Sequence, residues 1–239
     1  MKVLAVIPGR GGSKGVKGKN IRVVDGVPLI GYAINIASNS QKLTKYIVNT
    51  DSDEIEKVAR DFNAEVYRRN PELGSDSASI VPVILETIEA LEKKGEIFDV
   101  VILLQITSPI RSGQNIDEVI SMFESDPELP GVISVVPMYD LHPARMYQFD
   151  ESSKMNPLYS EWETARRQDI PPVFYRNGCI YAVRIETLKK YRTLMPDGKK
   201  GYLMPAEWLA NIDDERDLVI TEALIKHLKH KGEFKLNQN

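Results

Sequence analysis

The first twenty residues, MKVLAVIPGRGGSKGVKGKN (1–20), decide the fold, because an apolar run passes directly into a loop rich in glycine and positive charge. Residues 3–7 are short, apolar and rich in β-branched side chains, which predicts a buried strand. A loop that leaves the carboxyl end of a strand lies where open α/β sheets bind ligands. Its glycines let backbone N–H groups approach a ligand, and its lysines and arginine supply positive charge. The stretch therefore predicts an α/β fold with a polyphosphate site.

Two common nucleotide-binding motifs do not fit this loop. The P-loop pattern needs Ser or Thr after Gly-Lys, but Asn20 follows Lys19. The dinucleotide pattern G-x-G-x-x-G has its first glycines at Gly9 and Gly11, but Lys14 stands where the third is required. The alternative without function is a solvated basic turn between a strand and a helix.

Short β-branched runs alternate with amphipathic segments along the chain, which predicts a doubly wound, mostly parallel sheet with helices on both faces. Strands are predicted at residues 3–7, 46–49, 65–67, 100–104, 132–136 and 179–183. Helices are predicted at residues 29–39, 53–62, 80–93, 116–123, 186–191 and 214–231.

The composition favours one α/β domain that binds a small anion. The chain has 239 residues, of which 42% are hydrophobic, and a formal net charge of −3, which gives no general attraction to nucleic acid or to an anionic membrane. Its single cysteine, Cys179, forms no disulfide within the chain and is predicted to be a core residue. No window is long and apolar enough for a signal or a membrane span, so a cytoplasmic location is expected.

Residues 139–177 interrupt this regular pattern. The stretch is rich in proline and charge and shows no sustained apolar period. A connection of this length in a compact domain is usually functional or is ordered by a partner. The sequence therefore divides into an α/β domain at residues 1–138 and 178–239 and an extension at 139–177.

Six segments, taken in order, resemble the acylneuraminate cytidylyltransferases, which include the CMP-sialic acid synthetases. They are RGGSKGVKGKN, VNTDSDEI, RNPELGSDSAS, LLQITSPIR, RNGCIYAV and NIDDERDL. The resemblance implies a Rossmann-like nucleotidyltransferase fold, and a reaction in which an acidic 2-keto sugar attacks CTP to give a CMP-sugar and pyrophosphate. It also implies Mg²⁺ or Mn²⁺ as cofactor, and a homodimer in which the extension carries residues into the partner's active site.

The resemblance assigns two groups of residues to the nucleotide. The basic residues Arg10, Lys14 and Lys19 would neutralise the triphosphate. The other nucleotide-binding residues would be Gly11, Gly12, Ser13, Asn20, Arg69 and Ala78. Arg69 would read the cytosine, although the adjacent Arg68 is an alternative.

A third group is implied to bind the sugar: Gln105, Arg145, Arg167, Asn177 and Tyr181. Relatives often have an arginine two residues before the Asn-Gly pair, whereas here Arg176 is directly adjacent to Asn177, so its role stays open. His142 is predicted to be a surface or packing residue, and Arg111 to be structural.

The metal is implied to bind at Asn211 and Asp213. The family commonly has two aspartates at these positions, so the first ligand here is an uncharged amide. The alternative is that Asp213 and Asp214 only cap the last helix.

Other functions remain open at this stage. A deoxy-manno-octulosonate synthetase or a sugar-1-phosphate nucleotidyltransferase would share fold and chemistry. A non-catalytic nucleotide-binding protein is the alternative from a different class, and Asn211 is the feature that favours it.

Overall fold

The computed structural model describes residues 1–12, 16–70 and 79–236. The strands are β1 (Val3–Gly9), β2 (Val23–Val24), β3 (Val27–Pro28), β4 (Lys45–Thr50), β5 (Val66–Arg68), β6 (Val100–Leu103), β7 (Gly131–Met138), β8 (Tyr147–Phe149), β9 (Met155–Pro157), β10 (Val173–Arg184) and β11 (Lys200–Leu203). The α-helices are α1 (Leu29–Ser38), α2 (Asp53–Asp61), α3 (Ile80–Glu92), α4 (Gly113–Ser125), α5 (Ile185–Tyr191) and α6 (Glu215–Lys231).

Seven strands form one sheet in the order β11-β7-β10-β6-β1-β4-β5. Strands β5, β4, β1 and β6 are parallel neighbours, and β11 is parallel to β7. Strand β10 is antiparallel to both β6 and β7. The predicted doubly wound, mostly parallel mixed sheet is confirmed, and its antiparallel member lies next to the parallel core.

The two faces of β1 explain why this strand is central. Val3, Ala5 and Ile7 belong to the larger core, whose helical side chains come from α1, α2, α4 and α6. Leu4 and Val6 belong to a second core with residues of α3 and α5. Because side chains alternate along a strand, an uninterrupted apolar run predicts a strand buried on both faces.

Several helices begin where the sequence supplies a capping side chain. Ser52 accepts a hydrogen bond from the Ile55 backbone N–H at the start of α2, and Ser79 caps α3. Ser112 and Asn115 form a reciprocal capping box at the start of α4. These caps fix the position of each helix relative to the strand before it. Among the described helices, none is both long and apolar enough to cross a membrane.

The predicted strands and helices are all present, with ends that differ by a few residues. The prediction of irregular chain up to residue 177 is wrong at its end, since β10 already begins at Val173. Two-residue strands β2 and β3, the hairpin of β8 and β9, and the edge strand β11 were not predicted. The division of the chain into a domain and an extension stays a prediction.

A ribbon made by the end of β7 and the start of β10 carries the extension. Met138 pairs with Val173, so the intervening chain leaves and returns at one point.

His142 packs inside the extension: Nδ1 accepts from the Ala144 N–H (3.0 Å), which leaves Nε2 to donate to the Pro171 carbonyl (2.8 Å). His142 is 6% exposed, so its predicted packing role is confirmed.

A fully buried arginine joins β10 to the segment that follows β6. Nη1 of Arg111 lies 3.0, 2.9 and 2.9 Å from the carbonyl oxygens of Gln105, Ser108 and Cys179. Burial lowers the pKa of this guanidinium to about 10, which still leaves it charged at neutral pH. The structural role predicted for Arg111 is confirmed, and it includes the strand β10 as well as the turn.

We expect Arg111→Met to lower the free energy of unfolding by about 3 kcal/mol, because three buried carbonyl groups lose their donor at about 1 kcal/mol each. Urea denaturation measures the change. The control is Arg60→Met, which removes an exposed guanidinium paired with Glu56 and should cost less than about 0.5 kcal/mol. Equal losses in the two variants would contradict the role given to Arg111.

Candidate active site

The basic loop after β1 is held at both of its ends by side chains. The Gly11 N–H donates to Asp51 Oδ1 (2.9 Å), and Asn20 Nδ2 donates to the Arg10 carbonyl (3.0 Å). Asn20 is 8% exposed, so its side chain serves the shape of the loop. Gly12 has open space around its missing side chain. The predicted site residues Ser13 and Lys14 lie outside the described residues.

Lys19 joins this loop to the segment before α6. Its Nζ donates to the Ile212 carbonyl (2.8 Å) and lies 3.6 Å from Asp213 Oδ1. The Lys19 side chain is 14% exposed and that of Asp213 is 74% exposed. The Ile212 N–H in turn donates to the Thr107 carbonyl after β6 (2.9 Å). The structure thus brings together a predicted phosphate-binding lysine and a predicted metal ligand.

The acidic residues before α6 have different partners. Asp214 caps the helix by accepting from the Asp217 N–H, whereas Asp213 faces Lys19 and Asn211. Capping therefore accounts for Asp214 and not for the Asp213 carboxylate. Asn211 Nδ2 donates to Asp213 Oδ2 (2.8 Å), and its Oδ1 lies 3.4 Å from Ser108 Oγ.

The donor set at this point fits a hydrated divalent cation. In the described part of the chain, no group of three or more His, Cys, Asp or Glu side chains could hold a metal by itself. Asp213 supplies one exposed carboxylate, and Asn211 has one amide oxygen, which faces Ser108 while its Nδ2 faces Asp213. Mg²⁺ keeps several waters and commonly takes one or two carboxylates plus substrate phosphate oxygens. These residues therefore fit Mg²⁺ only together with a bound triphosphate.

Arg69 lies below the loop, at the carboxyl ends of β1 and β4. Its Nη2 is 3.3 Å from the Gly9 carbonyl and 3.2 Å from Asp51 Oδ1, and its Nη1 is 3.3 Å from Asn49 Oδ1. Nε is buried and has no partner among the described residues. Arg68 instead pairs with Asp53 and Glu56 of α2. Of the two candidate arginines, Arg69 is the one beside the loop; the predicted Ala78 lies outside the described residues.

A bulge in β10 carries the third part of the site. The pairing of β10 shifts between Arg176 and Tyr181, and Gly178 has a φ of +77°. A side chain on Gly178 would come within 2.8 Å of both Gln105 Oε1 and Ser108 Oγ. Glycine is therefore required here by backbone conformation and by close approach. The bulge holds the predicted sugar-binding Gln105 next to Ser108.

The other predicted sugar ligands on β10 have different environments. Asn177 is 1% exposed, and its Oδ1 accepts from Ser134 Oγ (2.6 Å) while its Nδ2 contacts Met204 Sδ. Its side chain therefore shapes the bulge from inside. Tyr181 is half-buried, and burial raises the pKa of its phenol, which keeps it neutral. Arg176 lies over the Tyr181 ring, 5.9 Å from its centre.

A cavity of about 480 Å³ lies between β7, β10 and β11, and its lining includes Arg176 but none of the predicted sugar ligands. Its lining residues are Ile133, Val135, Phe174, Tyr175, Arg176, Met195, Lys199, Lys200 and Gly201. The combination of an apolar floor with cationic side chains suits a small polar ligand that also has an apolar part.

Arg145 and Arg167 lie in the extension, and each has a partner there. Arg145 donates to the carbonyls of Glu163 (3.0 Å) and Ala165 (2.7 Å). Arg167 is 3.2 Å from Asp140 Oδ1 and lies over the Tyr139 ring. Within one chain both arginines stabilise the extension, and their predicted contact with a sugar stays a prediction.

The single cysteine is not a nucleophile. Cys179 is fully buried, and burial raises the pKa of its thiol to about 11. A thiol that stays protonated at neutral pH is unreactive. The prediction of a core cysteine is confirmed.

Ser108 and Asp51 were not among the predicted site residues. Asp51 directly follows the carboxyl end of the parallel strand β4, and Ser108 follows the short turn after the parallel strand β6. Open α/β sheets place their ligands at this edge. That position is the signal by which both could have been found.

Comparisons with known proteins identify the family of the chain. A family model described as cytidylyltransferase matches residues 4–218. N-acylneuraminate cytidylyltransferase B of Danio rerio is 34% identical over 233 residues, which cover 95% of this chain and 52% of that protein. Post-translational flagellin modification protein B of Campylobacter coli is 29% identical over 227 residues, which cover 94% of this chain and 95% of that one.

A solved structure of CMP:2-keto-3-deoxy-manno-octonic acid synthetase complexed with CTP has a TM-score of 0.73 at 19% identity, and the match covers 95% of this chain and 99% of that one. This likeness confirms the fold. The chain spans about half the length of the N-acylneuraminate cytidylyltransferases that it matches, 52% in the Danio rerio protein. Since the family match includes most of the chain, from β1 into α6, the chain belongs to the cytidylyltransferase family.

Proposed function

We propose that the chain transfers CMP from CTP to an acidic 2-keto sugar of the sialic acid class and releases pyrophosphate. The observation that carries the proposal is the approach of Lys19 Nζ to Asp213 Oδ1 at 3.6 Å, because it joins the basic loop to the acidic segment before α6. Gln105 and the β10 bulge lie on the other side of Asn211, which supports adjacent positions for the nucleotide and the sugar.

The chemistry needs charge stabilisation more than a reactive protein group. The anomeric hydroxyl oxygen bonds to the α-phosphorus, its proton is released, and the bond from that phosphorus to the bridging oxygen breaks. Negative charge then grows on the departing pyrophosphate. Lys19, with Arg10 and Lys14 of the same loop, supplies the positive charge that stabilises it.

The sugar class is supported by the relatives named N-acylneuraminate cytidylyltransferase and by the cavity beside Arg176. Its apolar floor and the Arg176 guanidinium suit a ligand with polar and apolar parts. An octulosonate synthetase is the second candidate, favoured by the structural neighbour of that name. A reducing compartment such as the cytoplasm suits the buried free thiol of Cys179.

A divalent cation completes the proposal. Asp213 and the Asn211 oxygen would hold it together with phosphate oxygens, and when bound it would neutralise triphosphate charge. Lys19 already neutralises part of the Asp213 charge, so the protein contributes only modestly to the affinity for the cation.

The extension is proposed to form a homodimer with shared active sites. Large apolar side chains are exposed along it and at the start of β10: Tyr139, Leu141, Met146, Phe149, Met155, Leu158, Tyr159, Phe174 and Tyr175. Exposed apolar side chains concentrated in one segment are typical of an interface. In such a dimer each Arg167 would reach the sugar bound mainly by the other chain.

The function is tested by pyrophosphate release from CTP and Mg²⁺ with a panel of keto-sugar acids, and with a control lacking sugar. We expect release with a sialic acid-type sugar, and Lys19→Met should lower kcat/KM by about 10²–10³-fold, as loss of one stabilising donor does. Lys17→Met removes an exposed charge from the same loop and is the control with little effect. CTP binding without turnover of any sugar would favour the non-catalytic alternative.

The cation is tested with Asp213→Asn, which should weaken the apparent Mg²⁺ affinity on the order of tenfold or more. The matched control is Asp214→Asn, because asparagine caps a helix as well as aspartate does and the charge change is the same. Asn211→Asp should strengthen Mg²⁺ binding or leave activity intact. Full activity in excess chelator, or equal effects of the two Asp→Asn changes, would rule out this cation site.

The shared site is tested by co-refolding Lys19→Met with Arg167→Ala. If Arg167 acts across the interface, each mixed dimer keeps one intact site, and an equal mixture should recover about a quarter of wild-type activity. A mixture of Lys19→Met with Asp213→Asn is the control, since both changes lie on one side of the site and should not complement in this way if both side chains serve their own chain. No recovery in the first mixture, with heterodimers demonstrated, would mean that Arg167 serves its own chain.

A further inference from the structure

The feature with the clearest unassigned role is the Asp51 carboxylate at the end of β4. Its side chain is 17% exposed. Oδ1 accepts from the Gly11 N–H at 2.9 Å and lies 3.2 Å from Arg69 Nη2. One carboxylate oxygen therefore contacts both the basic loop and the arginine below it.

This contact balances the charge of Arg69 and helps to fix its position. The Arg69 side chain is 4% exposed, and Asp51 is the carboxylate that pairs with it in the described part of the chain. Without Asp51, Arg69 would be a buried and unpaired cation, which is costly and tends to move towards water or another anion. With Asp51 present, Nη1 and Nη2 are both engaged, and Nε is buried without a partner among the described residues.

The same contact fixes the loop. The Gly11 N–H is occupied by Asp51, and the neighbouring carbonyl of Arg10 is occupied by Asn20. A side chain on Gly11 would lie 3.1 Å from Ser52 Cβ, so the loop rests directly on the turn that contains Asp51. The loop and Arg69 therefore share one partner, Asp51, in addition to their separate contacts with Asn20 and Asn49.

We propose that Asp51 is a positioning residue that couples recognition of the nucleotide base to the phosphate-binding loop. This inference rests on the proposed function, in which Arg69 contacts the base and the loop contacts the triphosphate. In this proposal Asp51 does not itself bind the nucleotide. It acts through Arg69 and Gly11. The same carboxylate orients the arginine that contacts the base and the loop that contacts the triphosphate.

The test compares CTP with UTP in Asp51→Asn, which preserves shape and an acceptor for the Gly11 N–H but removes the charge that pairs with Arg69. The ratio of kcat/KM for CTP to that for UTP should fall about tenfold, because recognition by hydrogen bonding depends on an oriented partner. Asp53→Asn is the matched control and should leave the ratio unchanged. Asp53 lies two residues away, is 95% exposed and pairs with Arg68.

A double-mutant cycle with Arg69→Gln separates this role from a merely structural one. If Asp51 acts through Arg69, Asp51→Asn should change the CTP/UTP ratio little in the Arg69→Gln background. Equal effects of Asp51→Asn in both backgrounds would overturn the proposal, as would an unchanged ratio in the single variant. Melting temperatures of all variants establish that they are folded.

Equilibrium binding of CTP and UTP gives a second readout that needs no turnover. If the wild-type protein turns over no sugar, the proposed function fails, but the binding preference still decides the role of Asp51. We expect the wild type to bind CTP more tightly than UTP and Asp51→Asn to lose most of that preference. A wild type that binds both nucleotides equally would overturn the inference.

Discussion

The arrangement of the site depends on one buried charge, the guanidinium of Arg111. It holds the carbonyl groups of two segments, the turn after β6 and the bulge of β10, through a single nitrogen. Its other two nitrogens are buried without partners among the described residues. A buried charge is costly unless it is hydrogen-bonded. Both segments are therefore held at positions where their carbonyl groups accept hydrogen bonds from Arg111. Gln105, Ser108 and Gly178 are thereby brought together.

The antiparallel direction of β10 explains why those two segments can meet. Strand β6 ends at Leu103, opposite Tyr181, while β10 begins far beyond that level at Val173. The first part of β10 therefore extends past the carboxyl end of β6. A strand parallel to β6 would instead end at about that level. A bulge placed in that part lies directly against the turn that follows β6, and Gly178 permits the contact.

The sequence predicted the sheet well because its signals are local. The apolar run of β1 and the caps of the helices each depend on neighbouring residues. Strand β11 was missed because KGYL has neither alternation nor a β-branched run, and it forms only by pairing with β7. The roles of Ser108 and Asp51 were missed for a similar reason, since their contacts depend on how distant segments pack.

The basic loop is another case in which contacts between distant segments could not be predicted from the sequence. It also shows how charge is balanced across the site. Its glycines and lysines predicted an anion site, but no spacing rule could show that Lys19 contacts Ile212 and Asp213. In this arrangement Asn211 donates a neutral N–H to Asp213, so the pair carries one negative charge, which Lys19 opposes. A second carboxylate at position 211 would add a charge that Lys19 alone does not offset. If the proposed divalent cation binds here, the asparagine therefore suits a site in which triphosphate oxygens, more than the protein, attract it.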